Sequence, residues 1–332
     1  MCPMTTPRFP IPVAQPVFLA PMSGITDLPF RQVVARFGAG LLVSEMIAAG
    51  EMVTHRRSPR AATRARARIG AGTPTAVQLA GRDPAAMAEA ARIAAGEGAP
   101  MIDINMGCPA KKVVGGLSGS ALMRDLDLAL RLIDAVVGAV DVPVSLKTRL
   151  GWDGDCLNAP DLAARAEAAG VSMITIHGRT RAQFYTGTAD WAAIRAVRAA
   201  VRVPVIANGD ILNAADARRA LALSGADGVM IGRGAQGRPW VLAEIAAALS
   251  GAPAPRVPTG AALADLVATH YDAMLGFYGR DLGVRIARKH LGWYIDAAGG
   301  AADLRARLMR ERDPARVLAL VPDALAPREA AA

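Results

Sequence analysis

The sequence predicts a (β/α)8 barrel, which is a closed ring of eight parallel strands with helices outside it, followed by an all-helical segment. Eight short apolar runs alternate with Ala-rich helical patterns up to a Pro-rich stretch near residue 250. The runs are apolar at nearly every position, as in parallel strands that are covered on both faces. Eight such units in about 235 residues match the count and size of this barrel. A doubly wound open sheet is the alternative fold for the same alternation.

Each predicted strand is a short apolar or β-branched run, and each predicted helix is an Ala-rich segment with apolar residues at helical spacing. In chain order the strands are Val17–Ala20, Leu41–Ser44, Thr75–Leu79, Met101–Ile104, Pro143–Lys147, Met173–Ile176, Pro204–Ala207 and Gly228–Ile231. The helices are predicted at Pro29–Phe37, Pro84–Glu97, Leu122–Val137, Pro160–Ala169, Ala192–Ala200, Ala214–Leu223 and Arg238–Leu249.

Beyond the last strand the pattern is purely helical. Interruptions near Gly276–Gly279, Gly299–Gly300 and Pro314 divide this part into three or four helices. The predicted domains are an extended N-terminal arm at 1–16, a barrel at 17–250, a Pro-rich linker at 251–258 and a helical domain at 259–326.

Composition narrows the class of protein further. The 332 residues are 52% hydrophobic and 20% charged, which supplies a large core and excludes a fibrous or disordered chain. No stretch approaches the ~18 uninterrupted apolar residues of a membrane span, and residues 1–16 lack a secretory apolar block. The three cysteines show no paired spacing, so we expect no disulfide framework, no metal site and a reducing, cytoplasmic location.

Polar side chains follow the predicted strands. In a barrel of this type the ligand and catalytic groups lie at the C-terminal ends of the strands. These positions hold Pro21 to Gly24, Glu45-Met46, Gln78, Asn105 to Pro109, Lys147 to Arg149, His177 to Arg179, Asn208 to Asp210 and Gly232 to Gly234. Amides, cations, an imidazole and a thiol are therefore predicted to converge on one mouth. Loops are generally polar, which explains any one of these residues but explains the whole set of polar strand ends poorly.

A glycine-rich loop follows the last predicted strand. Residues Gly232 to Gly237 match the G-x-G-x-x-G pattern of dinucleotide-binding folds. That fold requires another strand with an acidic residue ~20 positions later, whereas this chain enters the Pro-rich stretch. The loops after strands 7 and 8 of a barrel commonly bind phosphate, and Asn208-Gly209-Asp210 and Gly232-Arg233 supply those loops. The phosphate of FMN and a substrate phosphate are both compatible with this pattern.

Cys108 lies in a Gly-Cys-Pro loop after the fourth predicted strand. A free thiol with a pKa of ~8.5 is mostly protonated at neutral pH and can act as a general acid. Lys111 and Lys112 could instead activate it as a nucleophile, and a small buried residue is the structural alternative. Cys2 and Cys156 are assigned no role.

Three further polar side chains are candidates for the mouth. Lys147 and Arg149 alternate along one strand end, so they point to the same side, where two cations can hold a carbonyl, a phosphate or an electron-rich ring edge. His177 ends the sixth strand. A solvated strand end and a core histidine, respectively, are the alternatives for these residues.

Five segments carry a specific resemblance to a known family. They are Ala20 to Asp27, Asp103 to Lys112, Ile176 to Arg181, Ile206 to Ile211 and Met230 to Trp240, which read APMSGITD, DINMGCPAKK, IHGRTR, IANGDI and MIGRGAQGRPW. In this order and at strand ends they resemble the bacterial tRNA-dihydrouridine synthases, the B-type branch above all. The resemblance extends through Arg285 to His290 and covers about residues 12–320.

The resemblance implies an FMN-dependent barrel with a helical tRNA-binding domain, which reduces the 5,6 double bond of a D-loop uridine with electrons from NADPH. It implies that Cys108 donates the proton to carbon 5 and that Asn105 and Arg149 contact the uracil. The flavin would be bound by Ala20, Pro21, Met22, Gln78, Lys147, His177, Asn208, Gly209, Asp210, Gly232 and Arg233. Arg285, Lys289 and His290 would face tRNA. Position 17 is the uridine favoured, and no membrane or obligate protein partner is implied.

Charge is consistent with a polyanionic partner, because the formal net charge is +9. Two segments concentrate it. Glu51–Gly70 contains Arg56, Arg57, Arg60, Arg64, Arg66 and Arg68 against one acidic residue, and Arg280–Arg316 contains nine basic and five acidic residues. Both are predicted to contact RNA phosphates.

Two rival functions remain open at this point. A flavin-dependent reductase of small molecules, similar to dihydroorotate dehydrogenase, would leave the helical domain and the Arg-rich segment unexplained. A non-catalytic RNA-binding protein would have no need for Cys108, Lys147 and the phosphate loops. Activity on free uracil and a flavin spectrum after purification separate these functions.

Overall fold

The protein is a closed barrel of parallel strands, in a computed structural model that describes residues 9–54 and 73–327. The strands are β1 (Val17–Leu19), β2 (Leu41–Val43), β3 (Ile47–Ala48), β4 (Thr75–Ala80), β5 (Ile102–Met106), β6 (Val144–Arg149), β7 (Met173–His177), β8 (Val205–Asn208) and β9 (Gly228–Ile231). Strand β1 pairs with both β2 and β9, and β2 pairs with β4, so the sheet closes. The predicted barrel is confirmed, and the open-sheet alternative is wrong.

Helices cover the outside of the barrel. They are α1 (Leu28–Phe37), α2 (Ala49–Thr54), α3 (Pro84–Gly96), α4 (Lys111–Gly115), α5 (Leu126–Val137), α6 (Ala159–Ala168), α7 (Ile194–Ala200), α8 (Ala214–Ser224) and α9 (Val241–Ser250), with 3-10 turns at Gly119–Arg124 and Arg233–Ala235. Asp27, Asp83, Asp125 and Asn213 cap their helices by accepting a hydrogen bond from a first-turn N–H.

The eight predicted strands agree with the structure to within two residues at each end. The sequence missed β3, α2 and α4, which have two, six and five residues. Elements this short do not complete enough periods to be recognised. The predicted helix Leu122–Val137 is divided, because the Asp125 carboxylate accepts from Leu128 N and starts a new helix there.

The interior of the barrel is apolar at one end and polar at the other. Near the N-terminal ends of the strands, Phe18, Met101, Met173 and neighbouring residues form a buried cluster. Residues of the predicted arm close this end, and the ring of Phe9 meets that of Phe18 edge to face at 5.8 Å. The polar residues are therefore left at the C-terminal end, where the mouth lies.

Four helices follow the barrel, namely α10 (Gly260–Tyr278), α11 (Arg280–Ala298), α12 (Ala302–Arg310) and α13 (Pro314–Leu325). They break at the glycine and proline positions that the sequence indicates, and residues 251–259 form neither helix nor strand. The division into domains at 17–250, 251–258 and 259–326 stays a prediction. Within the described residues, no helix is both long and apolar enough to cross a membrane.

A cluster of buried rings joins these helices to α1 of the barrel. His290 lies 5.3 Å from the ring of Phe30 and 5.0 Å from that of His270, measured between ring centroids. The hydroxyl of Tyr294 and Nδ1 of His270 are 3.1 Å apart. This arrangement fixes the helical segment against one side of the barrel.

The position of His290 corrects one prediction. The sequence places His290 toward tRNA, yet its side chain is 2% exposed. The buried face of α11 carries Val284, Ala287, Leu291 and Tyr294 at spacings of three and four residues, and His290 belongs to the same face. Its ring is therefore part of the packing between the helices and the barrel.

Gly237 should be sensitive to substitution because it lies against α11. Its φ is +70°, and an added Cβ would lie 2.2 Å from the carbonyl oxygen of Trp293. We expect Gly237→Ala to lower the free energy of unfolding by clearly more than the ~1–2 kcal/mol of left-handed strain alone, as measured by urea unfolding. Gly225→Ala is the control, since Gly225 has a φ of +67° with open space around it. Equal losses in the two variants would contradict the close contact.

The two buried histidines should make stability depend on pH. Burial lowers the pKa of His270 to about 3 and that of His290 well below its ordinary value. Below pH ~6.5 the unfolded chain therefore binds protons that the folded chain excludes. As the pH is lowered, the free energy of unfolding decreases by up to about 1.4 kcal/mol per histidine per pH unit. We expect the loss of Tm between pH 7.5 and 5.5 to be smaller in His290→Phe than in the wild type. An unchanged loss would show that His290 is not held neutral.

Candidate active site

The C-terminal ends of β6, β7 and β8 bring three predicted site residues side by side. Arg149 is in register with His177, and His177 is in register with Asn208. Lys147 Nζ donates to Asn208 Oδ1 at 3.0 Å, and Asn208 Nδ2 donates to the carbonyl oxygen of Met230 at 2.8 Å. Since the ammonium can only donate and the carbonyl can only accept, the orientation of the Asn208 amide is fixed.

Positive charge dominates this surface. Burial, followed by the charge of Arg149, lowers the pKa of Lys147 to about 8. Burial and four cations, Lys147, Arg149, Arg179 and Arg233, lower the pKa of His177 far below its ordinary value. His177 is therefore neutral at physiological pH, while the cations favour an anionic ligand at the mouth.

Cys108 is held by its backbone on both sides. Its N–H donates to Asn105 Oδ1 at 3.0 Å, and its carbonyl oxygen accepts from the backbone N–H and the hydroxyl of Ser120 at 3.0 and 2.9 Å. Cys108 and Cys156 are both free thiols, and the side chain of Cys108 is half-buried. The loop after β5 thus presents a thiol from a rigid backbone.

Arg149 has a different environment from the one expected. Its Nε donates to the carbonyl oxygen of Gly107 at 2.8 Å, and its Nη1 donates to those of Thr180 and Phe184, both at 2.9 Å. Three donors of this buried guanidinium are therefore committed to main-chain carbonyls. Arg149 joins the loop that carries Cys108 to the loop after β7, which is a structural role that the sequence did not indicate.

The loops after β8 and β9 lie together, as the sequence predicts for a phosphate site. The carboxylate of Asp210 accepts from both Nη atoms of Arg179 at 2.9 and 2.6 Å, from Arg233 Nη2 at 3.0 Å and from Ala189 N at 2.8 Å. With its oxygens engaged in this way, Asp210 orients Arg233. Only its backbone N–H is suited to meet a phosphate directly.

The loops that follow β1 and β9 lie against each other at Gly232. An added Cβ on Gly232 would have Met22 Sδ at 3.5 Å and Ala20 Cβ at 3.7 Å as its nearest neighbours. Gly232 therefore exposes its backbone beside Ala20, Pro21 and Met22. Together with Arg233 and the buried amides and ammonium, these groups fit an anionic mononucleotide such as FMN, whose phosphate needs cations and backbone donors.

An aromatic pair at the mouth was missed by the sequence reasoning. Phe184 and Tyr185 pack edge to face at 4.7 Å, and both are about half exposed. The guanidinium carbons of Arg149 and Arg233 lie 5.6 and 5.5 Å from the ring of Tyr185. Two adjacent aromatics in a chain with only 4% aromatic residues were a signal that could have identified them.

The C-terminal helices contact the loop that follows β1. The hydroxyl of Tyr278 donates to Asp27 Oδ2 at 2.8 Å, and Lys289 Nζ donates to the carbonyl oxygen of Gly24. The N–H of Gly24 in turn donates to Glu45 Oε1. These pairs span 251 and 265 residues for Tyr278 and Lys289, so no local pattern in the sequence could indicate them.

The remaining predicted residues lie in different places. Gln78 and Asn105 are buried side by side beneath the mouth, and Gly209 separates Asn208 from Asp210. Arg285 is exposed on α11. The six arginines of the segment Glu51–Gly70 lie outside the described residues. In the described part of the chain, no group of three potential metal ligands occurs.

Among solved structures, the histamine dehydrogenase from Rhizobium sp. 4-9 shares the fold. It aligns with a TM-score of 0.55 and 10% sequence identity, over 78% of this chain and 49% of that chain. An identity this low shows a common architecture only.

Two curated relatives match almost the whole chain. The probable tRNA-dihydrouridine synthase of Rhodobacter capsulatus is 69% identical, covering 95% of this chain and 96% of that protein. The tRNA-dihydrouridine synthase B of Xanthomonas campestris is 49% identical, covering 95% and 94%. A model of the Dihydrouridine synthase (Dus) family matches residues 18–329. Since the match extends from the first strand of the barrel to beyond the last helix, the chain belongs to the dihydrouridine synthase family.

Proposed function

We propose that this protein reduces a uridine of tRNA to dihydrouridine, with FMN as its flavin and NADPH as the source of electrons. The observation that carries the proposal is the cation-rich barrel mouth, at which a rigid loop presents the thiol of Cys108. The 69% identity to a probable tRNA-dihydrouridine synthase supports the substrate. The resemblance to the B-type branch favours position 17 of the D-loop, and the cytoplasm is where we expect the enzyme to meet its tRNA.

The flavin is assigned to the ends of β1, β4 and β6 to β9. Gly232 and Arg233 would bind the phosphate, with Arg233 oriented by Asp210. Gln78, Lys147 and His177 would contact the ring system, and Ala20, Pro21 and Met22 would lie beside it. When bound and reduced, the flavin supplies hydride to carbon 6 of the uracil.

Cys108 is assigned as the proton donor to carbon 5 of the uracil. Addition of hydride at carbon 6 leaves negative charge on carbon 5 and the carbon-4 oxygen, so a proton must arrive at carbon 5. Because the N–H and the carbonyl oxygen of Cys108 are both hydrogen-bonded, its thiol loses little conformational entropy on reaching the transition state.

Negative charge on the carbon-4 oxygen needs a positioned donor. Asn105 and the ammonium of Lys147 are the candidates, because Asn105 is buried and Lys147 is partly buried at the mouth, where electrostatic interactions are strong. Arg149 contributes to proton donation indirectly, because its Nε–H holds the carbonyl oxygen of Gly107, the residue before Cys108. Its role is thus to keep the donor loop in place.

A uracil in folded tRNA must be unstacked before it can enter the mouth. The exposed rings of Phe184 and Tyr185 offer faces on which bases can stack. Exposed Arg285 and the surface lined by Arg307, Arg310 and Arg312, together with Asp303 and Glu311, offer a net excess of cations for RNA phosphates. A reductase of free small molecules would use neither surface.

Replacement of Cys108 by Ala should separate cofactor binding from catalysis. The variant should retain FMN, judged by its absorption spectrum, and lose about 100-fold or more of dihydrouridine formation on unmodified tRNA, because a positioned general acid contributes ~10²–10⁴-fold. Cys156→Ala is the matched control and should remain active. Full activity of Cys108→Ala would refute the assignment.

Binding of tRNA should fall steeply with salt. Each phosphate contact releases counterions, so affinity should drop by orders of magnitude between ~50 and ~200 mM salt. The double variant Arg307→Gln/Arg310→Gln should bind more weakly and show a shallower slope in a filter-binding titration. An affinity that is insensitive to salt, or equal turnover of free uridine and tRNA, would favour the small-molecule reductase instead.

A further inference from the structure

A buried carboxyl group beneath the mouth has no part in the mechanism above. Asp103 lies on β5 with its side chain 2% exposed. Its Oδ1 accepts from the hydroxyl of Ser145 at 2.6 Å, and its Oδ2 accepts from Gln78 Nε2, also at 2.6 Å. A buried carboxylate is costly unless it is hydrogen-bonded, and here each oxygen has a donor.

The hydrogen bonds continue from Asp103 to Cys108. Gln78 Oε1 accepts from Asn105 Nδ2 at 2.8 Å. Asn105 Oδ1 accepts from the N–H of Gly107 at 3.2 Å and from that of Cys108 at 3.0 Å. Two side-chain amides thus connect the carboxylate to the backbone of the loop that carries the thiol.

The donor-to-acceptor direction of this series of hydrogen bonds is set independently at Asp103 and at the Cys108 loop. Each amide could exchange its oxygen and nitrogen by a half turn. At one end the backbone N–H groups of Gly107 and Cys108 can only donate, so Asn105 must present Oδ1. At the other end an ionised carboxylate can only accept, so Gln78 must present Nε2 to Asp103. Both ends select the same orientation of both amides.

We infer that Asp103 is a positioning residue, whose acceptor oxygen fixes the amides of Gln78 and Asn105 and thereby holds the loop that presents Cys108. The inference rests on the proposed role of Cys108 as proton donor. Asp103 itself touches neither the reacting base nor the thiol. It acts through the two amides, since Asn105 Oδ1 accepts the hydrogen bond from the Cys108 N–H.

Asp103 is in its accepting form at neutral pH, although burial favours its protonated form. Burial raises the pKa of Asp103 to about 6, although the hydrogen bonds from Ser145 and Gln78 and the charge of Lys147 oppose this rise. Above that pH the group is ionised, and both oxygens are acceptors. The carboxylate thus holds the Gln78 amide directly, and Gln78 Oε1 in turn holds the Asn105 amide in the orientation that its contacts with the loop also require.

Two substitutions at Asp103 show whether its hydrogen-bond acceptor or its negative charge holds the Gln78 amide. Asp103→Leu has a similar shape but offers Gln78 no acceptor. Asp103→Asn offers Oδ1 to Gln78, and its Nδ2 can donate to the Ser145 hydroxyl, which also accepts. Asn therefore preserves the orientation of the amides without the charge. Ser145→Ala is the matched control at the same depth, since it leaves the acceptor for Gln78 intact.

The readout is the rate at which iodoacetamide alkylates Cys108 in the FMN-loaded protein, followed by peptide mass spectrometry with Cys156 as the internal reference. Asp103→Leu should alkylate severalfold faster at Cys108 and at an unchanged rate at Cys156. Its kcat on tRNA should fall roughly 10- to 100-fold with little change in KM, because the donor is misplaced while the RNA contacts remain. Asp103→Asn and Ser145→Ala should resemble the wild type.

A second pair of variants decides the matter if Asp103→Leu does not fold. Gln78→Glu places two carboxyl groups face to face, and such a pair shares a proton near neutral pH. Alkylation of Cys108 relative to Cys156 should therefore accelerate in this variant only as the pH rises far enough for the pair to lose that proton. Adding Asp103→Asn restores a donor opposite Glu, leaves an acceptor for Asn105 and should return the rate to that of the wild type.

Two results would overturn the inference. One is a folded Asp103→Asn that behaves like Asp103→Leu, and the other is a rate at Cys108 that none of these variants changes. The alkylation pattern does not depend on turnover. If the wild type forms no dihydrouridine but the pattern holds, then the proposed function fails while the positioning role of Asp103 stands.

Discussion

Closure of the sheet between β1 and β9 is the constraint on which the rest of the structure depends. Parallel strands in a closed ring place all their C-terminal ends at one rim. Residues from Ala20 to Arg233 therefore meet within one mouth, although they are separated by most of the chain. The N-terminal ends are filled by apolar side chains and by residues 9–16, so a ligand can enter only from the polar end.

Burial at that rim makes hydrogen bonding directional. A buried polar group without a partner is costly, and the buried amides of Gln78, Asn105 and Asn208 each have a donor or acceptor of matching type. Asp103, Gln78 and Asn105 form a chain of fixed polarity, and Lys147 with Asn208 forms a second. Preorganised groups of this kind need little rearrangement when charge develops on a substrate.

The C-terminal helices share this site with the barrel. Tyr278 and Lys289 contact the loop after β1, next to the residues assigned to the flavin, and the same group of helices carries exposed arginines. The ring cluster around His290 packs the two parts together. The helices that carry these exposed arginines thus also hold the loop after β1 in place.

The sequence by itself determined the strands, the barrel, the C-terminal helices and the set of residues at the mouth, because period, strand ends and motif order are local properties. It did not determine the partners of those residues. Arg149 donates to three main-chain carbonyls and Asp210 accepts from two arginines, while their expected contacts with the uracil and the phosphate stay predictions. His290 was expected at tRNA and is buried. Only the tertiary structure decided these outcomes, since a polar side chain binds whichever acceptor folding brings within about 3 Å, and those acceptors lie on other loops and helices.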